Sequence, residues 1–256
     1  MLNIVTQNIW GKNDQWQARA DAIGINMRTL EVDVLCIQES SPEHFAYVQR
    51  HSFADFPYAH YAPSDDGSIT PGQQGLATFS RLPMIAAGKA DLGREDHPQI
   101  DPWMRIIQYI RIEPTPGHTV TVFNTHLFLN TAQKRAGIDG CVAVMRGPLF
   151  ADDVQILVGD FNILLDTPDD HLAALSNAGF VDVWRAQHPQ APGLTWPLTF
   201  DRPPQRRIDG HFIHADRLEH VAEIALANDQ PINEGTLLLS DHVAVLGTYR
   251  LPPSQP

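Results

Sequence analysis

The sequence has 256 residues, of which 43% are hydrophobic and 19% are charged, and its formal net charge is −12 at pH 7. These proportions are typical of a globular protein and exclude a disordered or fibrous chain. The negative charge excludes binding to nucleic acid through a broad basic surface, because that mode of binding neutralises phosphates with lysine and arginine. At this length we expect a single domain over 1–256, and a monomer by default.

Nothing in the sequence indicates export or membrane insertion. No basic segment followed by an apolar segment opens the chain, and no eighteen apolar residues occur in a row, so we expect a cytoplasmic protein without a transmembrane segment. The two cysteines, Cys36 and Cys141, lack CxxC spacing. We expect both to be small buried residues rather than disulfide partners.

Strand-like and helix-like patterns alternate along the whole sequence, without a repeat or a dividing linker. The sequence predicts strands near residues 2–8, 33–38, 75–80, 84–91, 105–113, 119–126, 154–160, 207–213, 219–227 and 243–250. Helices are predicted at 14–30, 42–50, 131–146 and 168–178. Segments rich in glycine, proline, aspartate and glutamine predict loops, which at this length often line a substrate site. These loops are 63–74, 93–103 and 188–206.

Glu39 ends the apolar run VDVLCIQ, which is typical of a buried strand. A carboxylate at the end of such a strand faces either a cleft or an internal partner. The alternative is that Glu39 caps the next helix, whose start is indicated by Ser40, Ser41 and Pro42.

The segment VQILVGDFNIL places Gly159, Asp160 and Asn162 at the end of another apolar strand. On an extended chain, Asp160 and Asn162 point to the same face because they are two residues apart. A carboxylate there can accept a proton, and a carboxamide can donate a hydrogen bond to the same water or phosphate oxygen. The simpler alternative is an Asx-type turn that ends the strand.

Further polar residues accompany the last predicted strands. Asp241 and His242 are adjacent in LSDHVAV, where one can bind a metal and the other a phosphate, although such a pair is more often a turn. Asp209 lies inside a predicted strand, where a carboxylate without a partner is costly. A histidine is its natural partner, because the carboxylate fixes the imidazole tautomer and raises its proton affinity. We therefore predict a dyad of Asp209 and His242.

Asn8 and His126 also end apolar runs, LNIVTQN and VTVFNTH, but either one can instead be a hydrogen-bonded structural residue.

Convergence of these carboxylates would require a compensating charge. Two carboxylates about 5 Å apart repel by roughly 3 kcal/mol at an effective dielectric near 20, so Glu39, Asp160 and Asp241 could not meet as ionised groups alone. A divalent cation would supply that charge. Ligation by oxygen, without cysteine, favours Mg²⁺ or Mn²⁺ over zinc.

Six short motifs together resemble those of the endonuclease/exonuclease/phosphatase superfamily, the deoxyribonuclease I-like fold, in their order and intervals. They are QN at 7–8, QE at 38–39, NTH at 124–126, GDFN at 159–162, RID at 207–209 and SDH at 240–242. The segment GLATFSRLPM at 75–84 is similar to the central strand pair of that family. The resemblance implies an α/β (α+β) fold: a four-layer α/β sandwich of two mixed β-sheets face to face, with helices on both outer sides and the site at one edge.

The resemblance also implies a metal site and a phosphoester substrate. It makes Glu39 the principal Mg²⁺ ligand, assisted by Asn8 and Asp241, with Mn²⁺ as the alternative cation.

The remaining motif residues acquire catalytic roles from the same resemblance. Asp160 would activate or orient the attacking water, and Asn162 would hold a phosphate oxygen. His242, oriented by Asp209, would be the catalytic histidine, and His126 would stabilise the developing charge or assist the leaving group. Whether Asp160 or His242 is the base stays open.

Four residues are candidates for substrate binding. Arg206 and Arg207 belong to the basic cluster FDRPPQRR, and Arg105 belongs to a second segment that could border the cleft. Asn130 follows His126 by four residues. For the arginines, a solvated loop is an equally good interpretation.

The leading expectation is a Mg²⁺-dependent phosphodiesterase, nuclease-like, that cleaves by in-line attack of an activated water. Nucleic acid is one candidate substrate. The alternatives are a phosphomonoesterase or a soluble sphingomyelinase-like lipid phosphodiesterase of the same fold, a catalytically silent binding protein, and a dinuclear metallophosphatase of unrelated fold.

Overall fold

The computed structural model describes residues 1–64, 74–97, 103–167, 170–232 and 234–250. Its strands are β1 (Leu2–Asn8), β2 (Val34–Ser40), β3 (Tyr58–Pro63), β4 (Gly75–Ser80), β5 (Met84–Arg94), β6 (Met104–Thr115), β7 (His118–His126), β8 (Val154–Asp160), β9 (Phe180–Asp182), β10 (Asp209–His214), β11 (Val221–Ala227) and β12 (Ala244–Tyr249). Its α-helices are α1 (Trp16–Thr29), α2 (Pro42–Arg50), α3 (Thr131–Met145), α4 (Ala173–Asn177) and α5 (Val183–Gln187).

The described strands form two mixed sheets. Sheet 1 has the order β11-β12-β1-β2-β4-β3, and sheet 2 has the order β5-β6-β7-β8-β10-β9. Each sheet contains a parallel pair, β1 with β2 and β7 with β8, among antiparallel neighbours.

Three apolar cores define the layers. The core between the sheets includes Ile4 and Val34 of sheet 1 with Val122 and Ile156 of sheet 2. A second core joins α1 to the outer face of sheet 1, and a third joins α3 to the outer face of sheet 2. The predicted fold, two mixed sheets face to face with helices outside, is therefore confirmed. It excludes the metallophosphatase of unrelated fold.

The outer helices are held by residues spaced at helical intervals. In α1, Ala20, Ile23 and Met27 are buried three and four residues apart, so they share one face. Cys141 lies on the buried face of α3, and Cys36 lies in the core between the sheets. Both cysteines are free and buried, as the sequence predicts.

The start of α2 decides one alternative for Glu39. The side chain of Ser41 accepts a hydrogen bond from the His44 amide, and Pro42 occupies the first turn. These features make Ser41 the cap of α2. The interpretation of Glu39 as the helix cap is therefore wrong.

The sequence does not predict β3, β9 or α5. β3 is an edge strand that pairs only with β4 among the described strands, and most of its residues are partly exposed. Its sequence, YAHYAP, therefore shows no clear apolar alternation. β9 and α5 have three and five residues, which is too short for a periodic pattern.

Several predicted boundaries shift. The strands predicted from 207 and 219 each begin two residues later, at Asp209 and Val221. The later start of β11 follows from the 3₁₀ segment Ala215–His220 that precedes it. The predicted helix 168–178 is shorter: 168–169 lie outside the described residues, and a 3₁₀ turn leads into α4.

The predicted loop 188–206 contains no helix or strand, and its one bridge joins Trp196 to Arg206. In the other two predicted loops, 65–73 and 98–102 lie outside the described residues. The first residues of these loops belong to the ends of β3 and β5. No helix in the described ranges is both long and apolar enough to cross a membrane.

The strand directions bring the motif residues to one edge of the sandwich. In sheet 1, β1 and β2 run parallel, so Asn8 and Glu39 lie at the same end. In sheet 2, His126 lies opposite Asp160 across the parallel pair, and Asp209 lies opposite Asp160 across the antiparallel pair. The two sheets therefore present their polar ends side by side.

Gly159, directly before Asp160, has a φ of 147°, and a Cβ atom there would lie 2.0 Å from the Thr125 carbonyl oxygen. We expect Gly159→Ala to lower the free energy of unfolding by roughly 2–4 kcal/mol, because the new methyl group meets backbone that cannot rotate away. Urea denaturation measures the change.

Gly117→Ala is the matched control, since Gly117 has a φ of 78° but no atom within 4 Å of the added Cβ. Equal losses in the two variants would show that the backbone angle alone, and not the close approach to Thr125, requires glycine at 159.

Candidate active site

A cleft of about 680 Å³ opens over the edge where the two sheets present their polar ends. It is lined by Glu39, Gln74, Trp103, Arg105, His126, Leu129, Lys134, Asp160, Asn162, Leu164, Trp196, Arg206, Ile208, Asp241 and His242. Carboxylates and histidines thus share the cleft with two tryptophans, three aliphatic side chains and three arginine or lysine side chains.

Glu39 enters the cleft through an irregularity in its strand. It has a φ of 62°, and the register of β2 against β4 shifts between Ile37 and Ser40. A bulge of this kind redirects a side chain that regular alternation would turn away. Its two carboxylate oxygens accept hydrogen bonds from Asn8 Nδ2 at 3.0 Å and Gln74 Nε2 at 3.2 Å.

Asn8 links the two sheets at the floor of the cleft. Its Nδ2 also donates to Asp160 Oδ2 at 3.1 Å, while its Oδ1 accepts the Trp10 amide at 3.0 Å. The Ser240 hydroxyl, one residue before Asp241, donates to the Asn8 carbonyl at 2.7 Å. The ends of β1 and β8 and the segment before β12 are therefore tied together.

Asp160 and Asn162 form the Asx turn that was the simpler alternative, and both nevertheless line the cleft. The Asn162 amide donates to Asp160 Oδ1 at 2.9 Å, and Asn162 has a φ of 51°. Its Nδ2 donates to the Leu127 carbonyl at 3.0 Å. The Asx turn therefore does not prevent Asp160 and Asn162 from lining the cleft.

His242 lies between two aspartates. Its Nδ1 is 2.9 Å from Asp209 Oδ2, and its Nε2 is 3.9 Å from Asp160 Oδ2. His126 Nε2 approaches the same Asp160 oxygen at 3.5 Å. Asp209 itself does not line the cleft among the described residues; it stands behind the imidazole of His242 and can fix its tautomer.

Burial shifts the proton affinities of these groups. Burial raises the pKa of Glu39, and the neighbouring Asp241 adds to the rise. Burial, together with Asp209, also raises the pKa of Asp160. Burial alone would lower the pKa of His242, but the charge and hydrogen bond of Asp209 raise it to about 10.

His126 has the opposite character. Burial lowers the pKa of His126 well below its usual value, and the positive charges of Arg105 and His242 lower it further. The two cleft histidines are therefore distinguished by their neighbours: only His242 has a directly hydrogen-bonded carboxylate.

The donor set suits a hard divalent cation. Glu39 and Asp241 offer carboxylate oxygens, which are ligands that Mg²⁺ prefers. Asn8 would offer its carbonyl oxygen only after a rotation of its amide group, because its Nδ2 faces Glu39 and its Oδ1 accepts the Trp10 amide. The raised pKa of Glu39 shows that this pocket disfavours uncompensated negative charge.

A second group could also hold a metal: ligand atoms of Asp160, Asp209 and His242 lie within 4.8 Å of one another. In that group, the Nδ1 of His242 already faces Asp209.

The substrate-binding candidates have different environments. Arg105 lines the cleft and is held by buried Glu95, at 3.0 Å from Nε to Oε2. Arg206 also lines the cleft, with its guanidinium 5.5 Å from the centre of the Trp196 ring. Arg207 is only 2% exposed and pairs with Asp182 at 2.7 Å.

Asn130 caps α3, where its Oδ1 accepts the Ala132 amide at 3.0 Å. Neither Asn130 nor Arg207 is among the described residues that line the cleft.

The structure adds cleft residues that the motifs do not indicate. Lys134, in the first turns of α3, donates to the Asn162 carbonyl. Trp196 donates from Nε1 to Asp241 Oδ2 at 3.4 Å. The sequence offers only weak signals for these two residues. Trp196 is a lone tryptophan in a proline-rich loop, and Lys134 follows the NTH motif by eight residues.

Arg19 is a further unpredicted residue beside the site. It is 1% exposed, and its five N–H groups all have acceptors. The acceptors are the backbone carbonyls of Ile9, Gly11, Asn13, Asp14 and Leu239. Arginine has five such donors, so this side chain joins the loop after β1 to the segment before Asp241 with none of them left over.

Comparison with solved structures shows where this fold occurs. A conserved protein of unknown function from Enterococcus faecalis V583 is 21% identical, with 98% of this chain and all of that chain covered and a TM-score of 0.78. The mannosyl-6-phosphatase of Bacteroides thetaiotaomicron VPI-5482 is 18% identical over 98% and 100%, with a TM-score of 0.76. TDP2 from Caenorhabditis elegans is 18% identical over 98% and 74%, with a TM-score of 0.71.

Two comparisons of the sequence itself gave different results. No curated protein matches the sequence significantly. The sequence model described as the endonuclease/exonuclease/phosphatase family matches residues 5–242, from β1 to the Asp241-His242 pair. With the fold and the cleft described above, this match shows that the chain belongs to the endonuclease/exonuclease/phosphatase family.

Proposed function

We propose that this protein is a Mg²⁺-dependent phosphodiesterase that cleaves its substrate by in-line attack of an activated water. One observation carries the proposal: Glu39, Asp160 and the pair of His242 with Asp209 converge at a single cleft. The family includes phosphoesterases, and this set of groups provides charge stabilisation and proton transfer for such a reaction.

In this proposal, Glu39 holds the cation with help from Asn8 and Asp241, and Mn²⁺ can replace Mg²⁺. When bound, the cation supplies positive charge that polarises the phosphoryl oxygens.

The protonation states favour one division of labour between Asp160 and His242. With a pKa of about 10, His242 is an imidazolium at neutral pH, so its Nε2 donates to a phosphate oxygen and does not act as the base. Asp160, whose pKa is raised by burial, is the better proton acceptor for the attacking water. Neutral His126 donates to the leaving oxygen, and Asn162 holds another phosphate oxygen.

Support for a diester comes from the order of strands in sheet 2. Trp103 and Arg105 lie at the start of β6, on one side of His126 and Asp160, whereas Ile208 precedes β10 on the other side. The cleft therefore offers apolar contacts on both sides of its catalytic floor, and each side can hold one substituent of a phosphodiester.

A phosphomonoesterase is the second candidate function. The solved structure described as a mannosyl-6-phosphatase shares the fold over 98% of this chain and all of its own. A sphingomyelinase-like activity is a further alternative, since Leu129 and Leu164 are each 39% exposed at the cleft.

We expect Glu39→Gln and His242→Ala to reduce kcat by at least about a hundredfold while the circular dichroism spectrum is unchanged. Glu39→Gln removes the negative charge that holds the cation, and His242→Ala removes a positive charge beside the phosphate. Mg²⁺ should raise the melting temperature of the native protein but not of Glu39→Gln. Glu43→Gln is the matched control, since that side chain is 66% exposed on α2. Full activity in both cleft variants would refute the assignment.

Asp209→Asn should lower the pKa of His242 from about 10, because it removes the largest charge that opposes burial, while Asp160 and Asp241 still raise this pKa. Proton NMR of the imidazole, assigned with His242→Ala, measures this. In the native protein, the pair stabilises the fold fully below about pH 6.5, and this contribution is lost as the pH rises through about 10. An unchanged titration in Asp209→Asn would contradict the dyad.

Substrate choice is tested with bis(4-nitrophenyl) phosphate and 4-nitrophenyl phosphate in Mg²⁺. We expect kcat/KM to be at least about tenfold higher for the diester, and Trp103→Ala to reduce that preference, because a second substituent loses its apolar contact. Trp16→Ala, which alters a tryptophan packed against Tyr47 outside the cleft, is the control. A preference for the monoester would favour the phosphomonoesterase.

A further inference from the structure

A layer of buried polar side chains lies between the two sheets, directly beneath the cleft. We name it the inter-sheet amide layer, and it consists of Thr6, Gln38 and Thr78 of sheet 1 with Gln108 and Asn124 of sheet 2. Each of the five residues is at most 1% exposed. Polar groups buried this deeply stabilise a protein only when they are hydrogen-bonded.

The first half of the layer is centred on Gln38 and Asn124. Gln38 Nε2 donates to Thr6 Oγ1 at 3.0 Å and, across the sheets, to Asn124 Oδ1 at 2.7 Å. Asn124 Nδ2 donates back to the Ile37 carbonyl of sheet 1 at 3.1 Å and to Gln108 Oε1 at 3.2 Å. The two amides therefore form hydrogen bonds in both directions across the interface.

The second half extends from Gln108 to the edge of sheet 1. Thr78 Oγ1 donates to Gln108 Oε1 at 2.7 Å, and Gln108 Nε2 donates to the His60 carbonyl at 2.8 Å. Both contacts join sheet 1 to sheet 2. Hydrogen bonds thus connect β1 and β2 through β7 and β6 to β4 and β3.

The layer separates the apolar core from the catalytic floor. In β7, alternate inner positions are Val122 in the core, Asn124 in the layer and His126 in the cleft. In β1, Ile4 lies in the core, and Thr6, two residues later on the same face, lies in the layer. The layer is therefore the last contact between the sheets before the site begins.

The position of the sheets matters because the cleft is divided between them. The proposed cation ligands Asn8 and Glu39 end strands of sheet 1, whereas His126 and Asp160 end strands of sheet 2. Apolar packing tolerates small shifts between two faces, whereas directional hydrogen bonds between buried amides restrict such shifts. Within the layer, Gln38 Oε1 has no hydrogen-bond partner among the described residues.

We propose that the inter-sheet amide layer fixes sheet 1 relative to sheet 2. Gln38 and Asn124 are then positioning residues that set the distance between the proposed cation ligands at the edge of sheet 1 and the catalytic side chains at the edge of sheet 2. This inference rests on the proposed function for its catalytic readout.

The test replaces both amides with apolar side chains that cannot form these hydrogen bonds, in the double variant Gln38→Leu/Asn124→Leu. We expect kcat with bis(4-nitrophenyl) phosphate to fall at least about tenfold, because displacements of about 1 Å have large effects on rate. The Kd for Mg²⁺ should stay within about threefold of the native value, since Asn8, Glu39 and Asp241 all belong to the sheet 1 side. A merely structural role predicts no such division between kcat and metal affinity.

Two further variants complete the comparison. Gln38→Asn/Asn124→Gln exchanges the amides and keeps their combined length, and it should recover most of the native kcat. Ile110→Val shortens a side chain in the apolar core between the same sheets, and it should lower the melting temperature without the loss in kcat. If the leucine variant does not fold, Gln38→Leu alone decides the question: a loss of kcat of at least about tenfold with native Mg²⁺ affinity supports the proposal, and native kcat overturns it.

Native kcat in the leucine variant, or an equal loss in Ile110→Val, would overturn the proposal. A native protein without activity on any phosphoester would instead refute the proposed function, and the positioning role would then be judged from crystal structures of the leucine variant. There, an Asn8 to Asp160 contact still near its native 3.1 Å would overturn the proposal, and a contact beyond hydrogen-bond range would support it.

Discussion

The hydrogen bond from Asn8 Nδ2 to Asp160 Oδ2 joins the end of one sheet to the end of the other, where several ionisable side chains are withdrawn from water. Charges in such a place must be compensated, because desolvation disfavours each of them separately. The protein meets this constraint in two ways. Asp209 balances the imidazolium of His242, and the Asn8 and Gln74 amides donate to Glu39. The surplus of carboxylate that remains is what a divalent cation would neutralise.

Much of this arrangement could be predicted from the sequence, because each strand that carries a site residue is apolar and long enough to be recognised. Runs such as VQILVGDFN indicate both a buried strand and the polar residues at its end. The pairing of Asp209 with His242 follows from a simple argument about buried carboxylates, and the two atoms are 2.9 Å apart. The order of motifs then indicated the family, which the match over residues 5–242 shows.

Other features depend on tertiary contacts that a linear pattern does not contain. Arg207 and Arg206 are adjacent in a basic cluster, yet Arg206 lies over Trp196 at the cleft while Arg207 pairs with Asp182 in the interior. Both residues precede β10, which begins at Asp209, so the tertiary contacts of this segment and not strand alternation separate them. Likewise, the bulge that turns Glu39 into the cleft has no sequence signal beyond an ordinary strand end.

Arg19 holds the backbone beside the cleft in place in the absence of any ligand. Its guanidinium is saturated by main-chain carbonyls, and it remains charged throughout the physiological range. The loop that follows Asn8 and the segment that leads to Asp241 are therefore held together by the five hydrogen bonds of this one buried side chain. A cation bound as proposed would meet a backbone that is already ordered, so little of its binding energy would be consumed in ordering the chain.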